Sequence, residues 1–192
     1  MGRTKSYEED DVINLALDCF WSKGYQNTSI RLLEKEMGIN QFSIYSSFKS
    51  KSHLYQIVLK KYIDKLSSTY LKALTKEKCE ITDVEQFLVA FGTDMITQRI
   101  PDSCLMVRSI LNYNTFNKRI KSTIDQFITL MEGLYSKALI NSKALGYINE
   151  HTDINKEVQY LIGITQSISI MNQHMTPKQL KEYVKNSIQK LK

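Results

Sequence analysis

Thr28 to Leu54 reads T-S-I-R-L-L-E-K-E-M-G-I-N-Q-F-S-I-Y-S-S-F-K-S-K-S-H-L, and this stretch decides the fold of the chain. It predicts two very short helices joined by a tight turn and running into a long third one. Thr28 or Ser29 can cap the first, because a hydroxyl accepts a hydrogen bond from an amide that the helix leaves unpaired. Ile30, Leu33 and Met37 then recur at helical spacing and give a narrow apolar face. Gly38 suits the left-handed residue that ends a helix, since it has no Cβ to clash. Asn40 can cap the next helix, in which Ile39, Ile44 and Phe48 face the core. Gln41, Phe42, Ser43, Tyr45, Ser46 and Ser47 then look outward. A helix of roughly two turns does not hold itself together in water, so its neighbours must carry it. Such an arrangement is the sequence form of a helix-turn-helix, whose second helix enters a DNA major groove.

A solvated turn of an ordinary helical bundle is the competing reading. Such a turn normally exposes Lys, Glu or Ala, whereas no charge occurs here from Ile39 to Phe48. Gln41, Phe42, Ser43 and Ser46 are the candidates for contact with base edges. Gln pairs with adenine, and Ser pairs with bases or phosphate. Ser29, Tyr45, Ser47 and Lys51 are the candidates for phosphate, Lys51 because it stands at the start of the third helix, where a cation and a helix N-terminus can grip one anion together.

Gly24-Tyr25, Thr28-Ser29-Ile30, Gly38-Ile39, Ile44-Tyr45, Phe48, Lys51 and Leu54 together resemble the amino-terminal signature of the TetR family of bacterial transcriptional repressors. The likeness runs from about Val12 to Leu59, with nearly every landmark in register. One position departs from it: members often carry His immediately before the Phe, where this chain has Ser47. The resemblance implies a homodimer that binds a palindromic double-stranded DNA operator and releases it on taking up a small-molecule effector. It further implies a head, residues 1–52, that reads DNA, and a body, residues 53–192, that binds the ligand and dimerises. A helical adaptor that binds protein and ignores DNA is the alternative.

Composition sets the outer limits. The chain has 192 residues, only Pro101 and Pro177 as prolines, and seven glycines, which favours long uninterrupted helices and an all-α fold of about nine helices. No apolar run approaches the ~20 residues that span a bilayer, and no signal peptide is read, so a cytoplasmic protein without membrane contact is expected. Cys19, Cys79 and Cys104 lack metal-ligand spacing, and neither a metal nor a cofactor is expected. His53, His151 and His174 sit in no catalytic motif, and no Gly-rich phosphate loop or nucleophile elbow is present, so catalysis is not expected. The net charge of +6 hints at an anionic partner, but its distribution does not single out the head. Arg3, Lys5, Lys23, Arg31, Lys35, Lys49 and Lys51 are balanced there by Glu8, Glu9, Asp10, Asp11, Asp18, Glu34 and Glu36. DNA binding must therefore rest on local placement of cations. Arg3 and Lys5 form a short basic tail, either a solvated terminus or an arm for a minor groove.

Outward from the head, the first helix is predicted over about Tyr7 to Lys23, with Val12, Ile13, Ala16, Leu17 and Phe20 as one stripe, Trp21 beside it and Gly24 at its end. A long helix from Ser50 to Thr75 carries Leu54, Val58, Tyr62, Leu66, Tyr70 and Leu74 and links head to body. Asp83 can cap a helix through Ile96, Pro101 interrupts, and another helix starts near Asp102 or Ser103. The next runs from about Thr115 to Ala144 and closes at Gly146. Met and aromatic residues at these spacings are ordinarily core. The alternative, which the family resemblance implies, is an effector pocket lined by Tyr62, Phe91, Met95, Met106, Ile110, Phe127, Met131 and Tyr135. Cys104, at a helix start near Arg99 and Arg108, is either a small core residue or a redox-sensing thiol. The chain ends in a hairpin, capped at Asp153 and at Thr176-Pro177. Its apolar faces, Val158, Leu161, Ile162 and Ile168 with Leu180, Tyr183, Val184 and Ile188, either dock on the body or pair with a second copy. The resemblance favours the dimer interface.

Overall fold

The structure, a computed structural model, describes residues 7–97 and 103–191; Arg3, Lys5, Arg99, Pro101 and the candidate helix start Asp102 lie outside them. Nine α-helices follow one another, and no strand occurs among the described residues. The head is built from α1 (Glu9–Asn27), α2 (Ile30–Met37) and α3 (Gln41–Phe48) packed on the start of α4 (Lys51–Ser68). In α1 the helical path breaks at Gly24, where φ 77° and ψ 161° is a conformation essentially reserved for glycine. Ser29 accepts the Leu32 N–H, Gly38 closes α2 in the left-handed region, and Asn40 accepts the Ser43 N–H, as the spacing predicts. Leu33, Met37, Ile44 and Phe48 are buried, while Ile39 is half-buried.

The body holds α5 (Ile81–Ile96), α6 (Leu105–Leu111), α7 (Lys118–Ala144), α8 (Ile154–Met171) and α9 (Pro177–Gln189). Asp83 is the third residue of α5 rather than its cap; it accepts the Glu80 N–H at 3.0 Å and the Lys76 ammonium at 2.7 Å. Asn117 caps α7, and Gly146, at φ 73°, follows its end.

Two expectations about the body need correction. The long linking helix does not continue to Thr75: α4 stops at Ser68 and a short 3-10 turn, Leu71–Thr75, follows. The Ser68 and Thr69 hydroxyls both bond the Lys65 carbonyl, and such bonds compete with helix continuation. The terminal hairpin, moreover, is turned inward. Leu161, Ile168, Leu180, Val184 and Ile188 are fully or almost fully buried within this chain, and Val158 nearly so. These six are therefore core residues and not faces offered to a second copy. The physical reason is Gly92 on α5. A Cβ there would lie 2.8 Å from both Ile168 and Leu180, so the missing side chain is the slot that seats α8 and α9. Ile162 and Tyr183 alone of the eight remain half-exposed.

Candidate nucleic-acid interface and effector cavity

The second helix of the head, α3, presents an uncharged face. Phe42 is 82% exposed and Tyr45 49% exposed, so two large rings stand uncovered by the described residues. Gln41 and Ser46 are exposed beside them, and Ser43 is half-buried. The Ser46 hydroxyl donates to the Ser43 carbonyl at 3.1 Å. Gln41 is held from behind: its backbone N–H and its side-chain Nε2 donate to the two carboxylate oxygens of Glu34, at 3.2 and 3.0 Å.

Two of the sequence-derived phosphate contacts are engaged elsewhere. The Lys51 ammonium donates to the Tyr25 and Thr28 carbonyls, each at 2.9 Å, and lies 4.2 Å from the centre of the Tyr25 ring. It thus closes the end of α1, and its partial burial lowers its pKa. The Ser47 hydroxyl is paired with the Tyr7 hydroxyl at 2.7 Å and ties the start of α1 to α3. Ser29 stays exposed as the cap of α2.

The cation that sequence reasoning passed over is Lys49. It stands exposed directly after α3 with φ 64° and ψ −45°, the one non-glycine residue with positive φ among those described. The Ser50 N–H reaches back to the Phe48 carbonyl at 2.7 Å, so Lys49 is the centre of a γ-turn of the rare, strained kind. No residue type in F-K-S announces this. Strain of this sort persists only where the surroundings over-determine it; here the Phe48 carbonyl lies also 3.1 Å from His53 Nδ1, and Ser50 caps α4.

Inside the body, α4, α5, α6, α7 and α8 surround a cavity of about 520 Å³, counting the part open to solvent. Phe91, Ile110, Phe127, Met131 and Tyr135 line it, as anticipated; Tyr62, Met95 and Met106 do not. These three are fully buried in the packing behind the wall, the face of each helix having been set by its neighbours. Val107, Ile162 and Thr165 take part instead. Among the described residues, no charged side chain lines the space. The Tyr135 hydroxyl is paired with Thr165, and burial pushes the phenol far up. Gln166, in the same wall, has no hydrogen-bond partner among the described residues.

Cys104 also lines the cavity, with its sulfur 3.4 Å from the Tyr62 hydroxyl. Burial raises its pKa, outweighing the hydrogen bonds from Tyr62 and the backbone of α6. A thiol so disfavoured as thiolate is not a poised sensor, and the core reading of Cys104 holds.

The short helix α6 joins the two regions. Val107 and Ile110 face the cavity, while Arg108 donates to the Trp21 carbonyl at the end of α1. Trp21 in turn donates from Nε1 to the Ser103 carbonyl at 2.7 Å, and Tyr55 of α4 pairs with Ser109 at 2.8 Å. Trp21 is thereby fully built into the junction, not merely packed beside a stripe.

A helix-turn-helix head fused through α4 and α6 to a helical body with a central apolar cavity defines a class: regulators that read DNA at one end and a small molecule at the other. The profile of bacterial regulatory proteins of the tetR family matches residues 12–58. The HTH-type transcriptional repressor ComR of Escherichia coli is 25% identical over 170 residues, spanning 88% of this chain and 81% of that protein. The biofilm operon regulator IcaR of Staphylococcus aureus is 30% identical over 87 residues, 45% of this chain and 47% of that one. A cysteine mutant of the TetR-family regulator CifR, solved with 26-bp operator DNA, shares the fold with a TM-score of 0.85 at 19% identity over the full length of both chains. Residues 12–58 thus carry the amino-terminal domain of the TetR family, and the chain along most of its length is similar to that family's transcriptional regulators. It is a regulator and not an enzyme. None of the described helices is long and apolar enough to cross a membrane.

Proposed function

We propose that this protein is a cytoplasmic one-component repressor which binds a palindromic operator as a homodimer and leaves it when an uncharged apolar molecule enters the body cavity. The observation that carries the reading is the outward face of α3, where Gln41, Phe42, Tyr45 and Ser46 stand exposed and uncharged on a helix rigidly held by its neighbours. In this reading residues 1–52 are the head and residues 53–192 the body. Gln41, Phe42, Ser43 and Ser46 address base edges; Tyr45, Ser29 and Lys49 address phosphate. Two heads spaced about one helical turn of DNA, or a multiple of it, match the half-sites of a two-fold operator. The second copy is received by the outward side of α8 and α9, where Ile162, Gly163, Ile170, Met171 and Tyr183 are at least partly exposed.

The effector class follows from the wall. The described wall carries no charged side chain to serve as counter-ion, and an ion against it loses its hydration uncompensated. Gln166 is the polar handle for one hydrogen-bonding group on an otherwise apolar ligand. Expansion of the cavity shifts α6, and with it the Arg108–Trp21 and Trp21–Ser103 bonds that fix the head. A coupling free energy of about 1–3 kcal/mol is expected, with operator DNA weakening the ligand by the same factor.

Fluorescence anisotropy on duplexes selected from a random library tests the reading. Affinity should fall steeply with salt, as counterion release requires. A protein that selects no duplex and binds random DNA no better at low salt would end it.

A further inference from the structure

We propose that Glu34 is a specificity-determining residue, which fixes the Gln41 carboxamide so that it presents its oxygen to DNA and reads only bases that offer an exocyclic amino group in the major groove. The inference rests on the reading of α3 as the DNA-reading helix. It goes beyond that reading in assigning a role to a residue of α2, which touches no base.

The argument begins with what a carboxamide is. Its two ends are nearly the same shape but opposite in hydrogen-bonding character, so a free Gln turns over and suits an acceptor or a donor alike. Gln41 is not free. Glu34 Oε2 takes the Gln41 Nε2 at 3.0 Å while Glu34 Oε1 takes the Gln41 backbone N–H at 3.2 Å. A carboxylate only accepts, so the end of the amide that faces Glu34 must be the nitrogen. The oxygen is turned away, on the exposed side of the first residue of α3. The residues at the N-terminal end of a recognition helix are those that reach base edges.

In the major groove adenine offers N6–H₂ and cytosine N4–H₂, whereas guanine and thymine show acceptors, O6 with N7 and O4. A fixed carbonyl oxygen accepts from adenine or cytosine and confronts guanine or thymine with a second acceptor. The two-point clamp from Glu34, one bond to the backbone and one to the side chain, stiffens this choice, because the side chain cannot rotate without abandoning a charge-assisted bond. The usual behaviour of an unrestrained Gln, tolerant at the cost of either orientation, is thereby removed.

The test is selection from a randomised duplex library followed by sequencing, with the wild type, Glu34→Gln and Gln41→Ala, the folded state of each followed by thermal melting. Glu34→Gln keeps the shape and, through its oxygen, the acceptor for the Gln41 N–H, but its NH2 then faces the Gln41 carboxamide and takes the oxygen, which turns the Gln41 nitrogen outward. In the wild type one position of each half-site should admit adenine and cytosine and exclude guanine and thymine by about tenfold or more. That exclusion should vanish in both variants, with the rest of the site unchanged. Should Glu34→Gln unfold, Glu34→Asp serves in its place: it keeps the acceptor but shortens the clamp, and it should at least halve the exclusion. Identical site preferences for Glu34→Gln and wild type would overturn the proposal while leaving α3 as the reader. Identical preferences for Gln41→Ala and wild type would overturn it too. A wild type that selects no sequence at all would remove the DNA reading on which it rests.

Discussion

The face of α3 and the wall of the body cavity are built by opposite means. The first is exposed and held in place by short hydrogen bonds from caps, turns and a single carboxylate: Asn40 to Ser43, Glu34 to Gln41, Tyr7 to Ser47. The second is buried and held by interlocking rings, Phe87 stacked on Phe91 at 5.7 Å and Tyr70 edge-on to Phe91 at 5.3 Å. Hydrogen bonds fix direction, whereas apolar packing fixes volume. A surface that must match the pattern of a groove needs the former. A space that must give way to a ligand needs the latter.

Substitutions should separate the two regions, and the largest effect on stability belongs to the body. Phe91→Ala should lower unfolding free energy by about 3–5 kcal/mol, measured by denaturant titration, and leave the preferred DNA sequence unchanged. If the preferred sequence changed as well, the division of labour would be wrong. Lys51→Ala sharpens the comparison, because Lys51 lies in the head but behaves as a structural residue. Loss of its two carbonyl bonds should cost about 1–3 kcal/mol of stability in the absence of DNA. An unchanged melting temperature with weakened DNA binding would return Lys51 to the phosphate contacts.

Lys49→Gly should act in the reverse direction. Glycine relieves a positive-φ residue of about 1–2 kcal/mol of strain, so the variant should melt at higher temperature, while the salt dependence of DNA binding flattens by about one unit. Phe42→Ala should leave stability within about 0.5 kcal/mol, since the ring touches little in the free protein, and yet weaken operator binding. The smallest effect is expected at Cys104. Burial raises its pKa, so the thiolate is scarce at neutral pH and grows only as the pH rises past the ordinary thiol range. Mild peroxide or iodoacetamide at pH 7 should leave Cys104 unmodified by mass spectrometry and DNA binding intact.

The head was legible because its signals are local. Ser29, Asn40, Ser50 and Gly38 act within four residues of themselves, and those distances are visible in a string of letters. Asp153 and Thr176-Pro177 marked body helices for the same reason, whereas α7, capped by Asn117, begins at Lys118, three residues later than periodicity suggests. What stayed hidden depends on reach. The Lys51 ammonium meets carbonyls 23 and 26 residues upstream, and nothing in spacing announces them. The inward turn of α8 and α9 was set by one absent side chain, at Gly92. The cavity was found in outline, through Phe91, Phe127, Met131 and Tyr135, while Tyr62, Met95 and Met106 went to the wrong side of the wall. Periodicity gives the buried arc of a helix but not which neighbour each residue of that arc will meet.

The seven residues of α6 carry a consequence for how the molecule breathes. A helix of about two turns is unstable alone, so its backbone amides owe their protection to what it touches on either side. Cavity wall and head thus share one locally folding segment, and its opening free energy is the sum of what each lends to it. Amide exchange in 105–111 should slow when DNA fastens the head and change again when a ligand fills the cavity. The regulatory signal would then be recorded in the exchange lifetime of a handful of amides, well before any displacement of the heads is large enough to see.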